Sequence, residues 1–375
     1  MIALRAARLF DGHNEHEDAV ILIEHGRITG IAADAPPGVP IEELHEDAIL
    51  APGYIDLQVN GGGGLMFNGE STLQDLAAIA AAHARTGTTA ILPTLISSSR
   101  DHLARAIETA RIAIEAETPG IAGLHLEGPF LAPTRRGIHP AAAITTITEA
   151  DIHALSAPFP APVLVTLAPD CVAPADIATL ARAGVTVFAG HSDATWDQAR
   201  AGLDAGIRGA THLFNAMSQF QGRAPGLVGA ILDDSRAAAG IIADGHHAHP
   251  AALRIALNAL GAERLFLVSD AMATAGSEIT GFTLAGEAIF LRDGRLTNAE
   301  GTLAGAHLTM AEAVRNLVAF TGCDWTTAVR MATATPAEIM GLEDRGVIAV
   351  GARADLVVLD DDLQVMEVWQ GGARL

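Results

Sequence analysis

Cysteine is nearly missing from this 375-residue chain. Only Cys171 and Cys323 occur, far apart and without a Cys-x-x-Cys spacing, which excludes a disulfide scaffold and a thiolate zinc knuckle. Aromatic residues reach 4%, too few to supply stacking platforms for bases. Positive charge is scarce too: 23 Lys and Arg stand against 44 Asp and Glu, and a formal charge of −21 repels a polyphosphate backbone except at a local basic patch. Long apolar runs are also lacking. The mean hydropathy is +0.30, but it comes from Ala scattered among Arg, His and Asp, and no uncharged stretch approaches the ~18 residues of a membrane span. The opening MIALRAARLFDGHNEHEDAV holds no signal-peptide core before its charges begin, which reads as a cytoplasmic protein. What is present, 50% hydrophobic and 18% charged residues, is the composition of a soluble folded globule.

Residues 2–9 and 18–31 alternate apolar and polar side chains and are broken by Asp-Gly and His-Gly, the pattern of antiparallel strands joined by tight turns. ADLVVLDDDLQVMEVWQGGARL at the far end repeats it, so residues 1–50 and 346–375 are expected to pair into one small β-sandwich domain. Across residues 51–345, β-rich apolar runs alternate with Ala-rich amphipathic stretches, which argues for parallel βα units. The strand candidates are Tyr54 to Val59, Thr88 to Pro93, Gly120 to Glu127, Val163 to Ala168, Val185 to His191, Gly209 to Leu213, Ala238 to Ala243 and Leu265 to Asp270. Helical stretches such as Leu73 to Arg85, His102 to Ala116, Pro174 to Ala183 and Pro250 to Leu260 fall between them. Eight such units predict the α/β class and a (β/α)8 TIM-like barrel. An insertion at Glu278 to Asn298 carries Asp293-Gly294 between two strand-like runs and reads as a hairpin, a lid or an interface element.

Ionisable residues sit at strand ends. Glu127 closes GIAGLHLEG, His191 closes GVTVFAGH, His212 lies in GATHLFN and Asp270 closes RLFLVSD, and in a barrel these ends converge on the face where active sites form. One carboxylate and two imidazoles are a recurrent set for a catalytic divalent metal that keeps a position for water. Asp270 is then the carboxylate left to move a proton. A single histidine after a strand ordinarily has only a hydrogen-bond partner, and a strand-end aspartate often caps the next helix. Four together form the pattern a metal site needs, although no His-Glu-x-x-His motif is present. The Gly run 61–64 fails Gly-x-Gly-x-x-Gly, because Met66 and Phe67 occupy the later positions, and reads as a turn leaving the first strand. Ser192 and Ser269 lack the Gly-x-Ser-x-Gly elbow of a serine nucleophile.

The runs APGYIDLQVNGGGG, GLHLEGPFL with RRGIHP, VTLAPD, AGHSDAT, THLFNAMSQFQGRAPGLVGA, GIIADGHHAHP, LVSDAMATAG and GTLAGAHLTMAEAVRNL resemble the N-acetylglucosamine-6-phosphate deacetylase family of the amidohydrolase superfamily, over nearly the whole chain. The resemblance implies hydrolysis of N-acetyl-D-glucosamine 6-phosphate to D-glucosamine 6-phosphate and acetate, as in amino sugar catabolism or cell-wall recycling. It implies that Glu127, His191 and His212 hold a divalent metal, with zinc the first choice and iron, manganese or cobalt suiting the same donors, and that Asp270 transfers the proton. By the same resemblance Ile138 and His139 reach the substrate, with His139 polarising the acetyl carbonyl. Asn215, Ala216, Arg223 and His247 take the phosphate and sugar hydroxyls, and the backbone of Leu303, Ala304 and Gly305 contacts the sugar. A homodimer is implied in which Arg223 is supplied by the neighbouring subunit. Arg135 and Arg136 read as a solvated face, and His246 and His249 receive no role.

One departure stands out. Where many amidohydrolases carry His-x-His to hold a second metal, this chain has Gln58-Val59-Asn60, and amides are poor ligands for transition metals, so a single ion is expected. Two alternatives accompany this reading: N-acetylgalactosamine 6-phosphate as substrate, and a metal-free barrel that binds or scaffolds sugar phosphates. The second predicts loss of one of the four strand-end residues, and all four are present.

Overall fold

The computed structural model describes residues 1–375. The alternating runs at the start of the chain form antiparallel strands: Ile2–Phe10 pairs with Glu15–Glu24, which pairs with Arg27–Ala32. From the far end, Leu356–Leu359 pairs with Ile49–Pro52, and Val365–Gln370 and Ala373–Arg374 extend the same eight-stranded sheet. Apolar side chains of this sheet, including Leu4, Ile21, Ile28, Leu50, Leu356 and Trp369, make a core separate from the main one.

Eight parallel strands build the barrel: Tyr54–Val59, Thr88–Ile96, Leu124–Glu127, Val163–Leu167, Thr186–Ala189, Ile207–Ala210, Ala238–Ile241 and Leu265–Leu267. Each pairs with its sequence neighbour, and these are the eight strands expected from the sequence. Ala271 closes the ring. It bridges in parallel to Val59, and its carbonyl accepts the N–H groups of Asn60 and Gly61 at 2.9 and 3.0 Å. The fifth, sixth and eighth strands stop before His191, His212 and Asp270 because each of these residues has a positive φ (48°, 34° and 52°), which breaks the ladder. Phe188 and Phe266, both buried, meet inside the barrel with ring centroids 6.1 Å apart.

Helices cover the outside, among them Leu73–Ala84, Arg100–Glu115, Pro174–Arg182, Trp196–Ala205, Gly226–Asp233 and Pro250–Leu260. Several begin at threonines whose hydroxyls satisfy the exposed N–H groups of the first turn: Thr72 with Asp75 and Thr195 with Gln198 form reciprocal capping boxes, each cap worth about 1 kcal/mol. Between the third and fourth strands the α-helical content is only Glu149–Leu155, leaving a long loop that carries His139 over the barrel mouth. No helix is long and apolar enough to cross a membrane.

The insertion is a four-stranded antiparallel meander, Gly281–Leu284, Glu287–Arg292, Arg295–Thr297 and Leu303–Ala306. The Asp293-Gly294 hairpin is there as expected, with Arg292 opposite Arg295. A second turn at Ala285-Gly286 and the fourth strand extend the element beyond the sequence reading. Met272, Ile289, Leu296 and Ala304 form its own small core.

Candidate active site

Glu127, His191 and His212 meet at the C-terminal mouth of the barrel, each almost fully buried. Glu127 Oε1 lies 3.1 Å from His191 Nε2 and 2.9 Å from His212 Nε2, and the two imidazole nitrogens are 3.1 Å apart. The protons decide what this triangle is. His191 Nδ1 faces the Arg135 carbonyl at 2.9 Å, and a carbonyl only accepts, so the ring proton is on Nδ1 and Nε2 brings a bare lone pair. A carboxylate oxygen and two imidazole nitrogens so close repel one another unless a cation or a shared proton lies between them. Donors around a tetrahedral zinc at ~2.0–2.1 Å sit about 3.3 Å apart, so the spacing and chemistry of this set fit a divalent metal.

His139 belongs to the same cluster but is oriented differently. Its Nε2 is 4.0 Å from Glu127 Oε2, and its ring lies against His191 with centroids 4.3 Å apart. Glu127, His139 and His191 also form a buried group close enough to share an ion. Here, however, Nδ1 receives the backbone N–H of Ser97 at 3.2 Å and has the Ser97 hydroxyl, free to donate, at 2.8 Å; since a backbone N–H only donates, Nδ1 accepts and the ring proton resides on Nε2. His139 therefore presents an N–H rather than a lone pair. Burial, and then the neighbouring His191, push its pKa down to about 3, so the ring stays neutral. Gly128, with φ +85°, makes room for this arrangement: a Cβ there would sit 2.3 Å from Ser97 Oγ.

Asp270 faces the cluster from the eighth strand. Its Oδ1 accepts from Asn60 Nδ2 at 2.6 Å and Gln58 Nε2 at 3.0 Å. Gln58 Nε2 also lies 3.3 Å from each Glu127 oxygen. Burial, and then the charge on Glu127, raise the Asp270 pKa to about 6. Beneath it Asp56, wholly buried, accepts from the N–H groups of Gln58 and Ser269 and from the Ser269 hydroxyl, tying the first strand to the segment that holds Asp270.

These groups line a cavity of about 360 Å³. Ile138, Asn215, Ala216, His247, Leu303 and Gly305 share its wall. His247 Nδ1 is paired with Asp244 Oδ2 at 2.6 Å, and the Asn215 amide is tied to the His212 and Leu213 carbonyls at 3.2 Å each, which props the loop after the sixth strand. Two expected residues stand apart. Ala304 is turned into the insertion's core, as strand alternation requires between Leu303 and Gly305. Arg223 is exposed and lines a neighbouring groove with Asp193, Trp196 and Gln219. Arg135, read from sequence as solvated, lines both cavities while paired to Asp193 at 2.8 Å. Asn60, singled out from sequence only as a poor substitute for a metal-binding histidine, lines the wall as well.

Several known proteins are similar to this chain in sequence and in fold. The Amidohydrolase family profile matches residues 49–374. An N-acetylgalactosamine-6-phosphate deacetylase of Shewanella sp. is 39% identical, with 100% of this chain and 96% of that protein covered. An N-acetylglucosamine-6-phosphate deacetylase of Haemophilus influenzae is 34% identical over 89% of this chain and 88% of that protein. The crystal structure of N-acetylglucosamine-6-phosphate deacetylase from Pasteurella multocida superposes with a TM-score of 0.95 at 32% identity, covering 100% of this chain and 99% of that one. With a metal-fitting Glu-His-His group at the mouth of a parallel barrel and a profile that spans most of its length, the chain is a hydrolase of the amidohydrolase family.

Proposed function

We propose that this enzyme hydrolyses the acetamide of an N-acetylhexosamine 6-phosphate, N-acetyl-D-glucosamine 6-phosphate first, to the amino sugar phosphate and acetate. The observation that carries the reading is the convergence, in one cavity, of three metal-type donors, a carboxylate with a free oxygen and a neutral imidazole N–H. Glu127, His191 and His212 would hold one divalent ion, zinc first, with iron, manganese or cobalt suiting the same donors. Such an ion supplies Lewis acidity, lowering the pKa of water and polarising a carbonyl. The remaining chemistry belongs to the chain. Asp270 takes a proton on Oδ2 from the water whose oxygen bonds to the acyl carbon. The neutral His139 donates its Nε2–H to the carbonyl oxygen as negative charge builds there. Asp270 then hands its proton to the nitrogen as the C–N bond breaks, so an amine departs rather than an amide anion.

His247, Asn215 and the Ala216 backbone flank the cavity where the sugar phosphate would lie, and Ile138, Leu303 and Gly305 bound the ring. Arg223 would come from the second subunit of a homodimer; its absence from its own chain's cavity wall supports that reading. A local guanidinium also explains how a protein of charge −21 captures a dianion. In this reading residues 51–345 are the catalytic unit, and 1–50 with 346–375 are the small β domain that packs beside it.

N-acetylgalactosamine 6-phosphate is the second reading. The Shewanella relative named for that sugar aligns over all of this chain, further than the Haemophilus relative named for the other. Acetate release from both phosphosugars and from unphosphorylated N-acetylglucosamine tests the proposal. The expected kcat/KM for one phosphosugar exceeds that for the free sugar by at least ~100-fold, the scale of a buried charged contact. No acetate from either phosphosugar would refute it.

A further inference from the structure

Building on this reading of the active site, we infer that Gln58 and Asn60 are positioning residues that aim Asp270 for proton transfer. Asp56 and Gln58 lie on the first barrel strand and Asn60 follows directly after its end, all three buried. Both amide nitrogens end on the same oxygen: Asn60 Nδ2 reaches Asp270 Oδ1 at 2.6 Å and Gln58 Nε2 reaches it at 3.0 Å. No backbone N–H and no other side chain donates to this carboxylate, so these two amides alone fix its rotation. Oδ1 is thereby doubly occupied, and Oδ2 is left as the oxygen that can take a proton.

The amides' other ends support the assignment. Gln58 Oε1 and Asn60 Oδ1 are buried without a donor, and flipping either amide would turn its oxygen against a carboxylate, so the nitrogens stay on Asp270. Gln58 in addition spans Glu127 and Asp270, separating two negative groups that would otherwise face each other. The Asn60 amide hydrogen-bonds Asp270 and none of Glu127, His191 and His212, so its effect on Asp270 can be isolated from metal binding.

The test is Asn60→Leu, similar in size and without a donor, together with Asn60→Ala in case the larger side chain impairs folding. Wild type is assayed beside them on the phosphosugars, so that a wild type releasing no acetate counts against the proposed function and not against this inference. The inference predicts kcat lower by roughly 10–100-fold, KM within about twofold, and unchanged metal content and unfolding midpoint. In an Asp270→Asn background the added Asn60→Leu should change kcat by less than about twofold, because the residue acts only through the carboxylate. A crystal structure of Asn60→Leu, which does not depend on activity, should show the Asp270 carboxylate rotated. An unmoved carboxylate, an unchanged kcat, a loss confined to KM or metal content, or equal losses in both backgrounds would overturn the inference.

Discussion

Asp270 shows how one residue's surroundings set its chemistry. Burial, followed by the charge on Glu127, raises its pKa to about 6. A cation held by Glu127 cancels the second cause, so in the metal-loaded enzyme the acid limb of the kcat profile should lie below 6, with activity lost as pH falls and the base becomes protonated. Asp270→Asn should lower kcat by ~10²–10⁴-fold, the range of general acid-base catalysis, with metal content per chain unchanged. A variant that loses its metal together with its activity would instead make Asp270 a ligand. His139 adds no second limb near neutrality, because burial holds its pKa down to about 3 and the ring is neutral throughout.

At the level of elements, Arg100 at the start of Arg100–Glu115 clamps Asp151 of Glu149–Leu155 through both carboxylate oxygens, at 2.8 Å each. The guanidinium, chiefly through these hydrogen bonds, lowers the Asp151 pKa from the ordinary 3.8 to about 2. A carboxylate depressed in the folded state contributes stability that is present above its unfolded pKa and lost as pH falls through the folded one. Urea midpoints of wild type and Arg100→Met should therefore differ at pH 6 and converge as pH drops from about 4 towards 2; a gap that stays constant would show the contact to be apolar packing by the Arg stem.

The barrel strands were legible because parallel strands buried on both faces read as unbroken apolar runs, and their ionisable ends marked the mouth. The insertion was only half legible: Asp293-Gly294 carries a turn signature, whereas Ala285 adopts φ 49° without one. The task of Gln58 and Asn60 was hidden for another reason. It depends on a carboxylate more than two hundred positions away, and spacing along the chain says nothing of such a partner. Arg135 keeps the solvent exposure read from sequence but also lines the cavity wall, because the loop that carries it packs against His191.

Over the whole molecule, acidic charge and the proposed anionic substrate are reconciled by local cations. Arg223 sits in an exposed loop beside Phe220, which is 62% exposed, an unusual place for a large apolar ring and a reasonable edge for a second copy of the chain. Arg223→Ala and Asp270→Asn, each nearly inactive alone, should regain partial activity when mixed and allowed to exchange subunits, since a hybrid dimer contains one intact site. No recovery despite proven exchange would put Arg223 in its own chain's site.

On the proposed reading, catalysis depends on a divalent ion gripped by Glu127, His191 and His212. Its most direct measurement is acetate release by protein stripped with a chelator and then titrated with zinc. Activity should be lost on stripping and restored in full at about one ion per chain. Undiminished turnover by rigorously metal-free protein would contradict it.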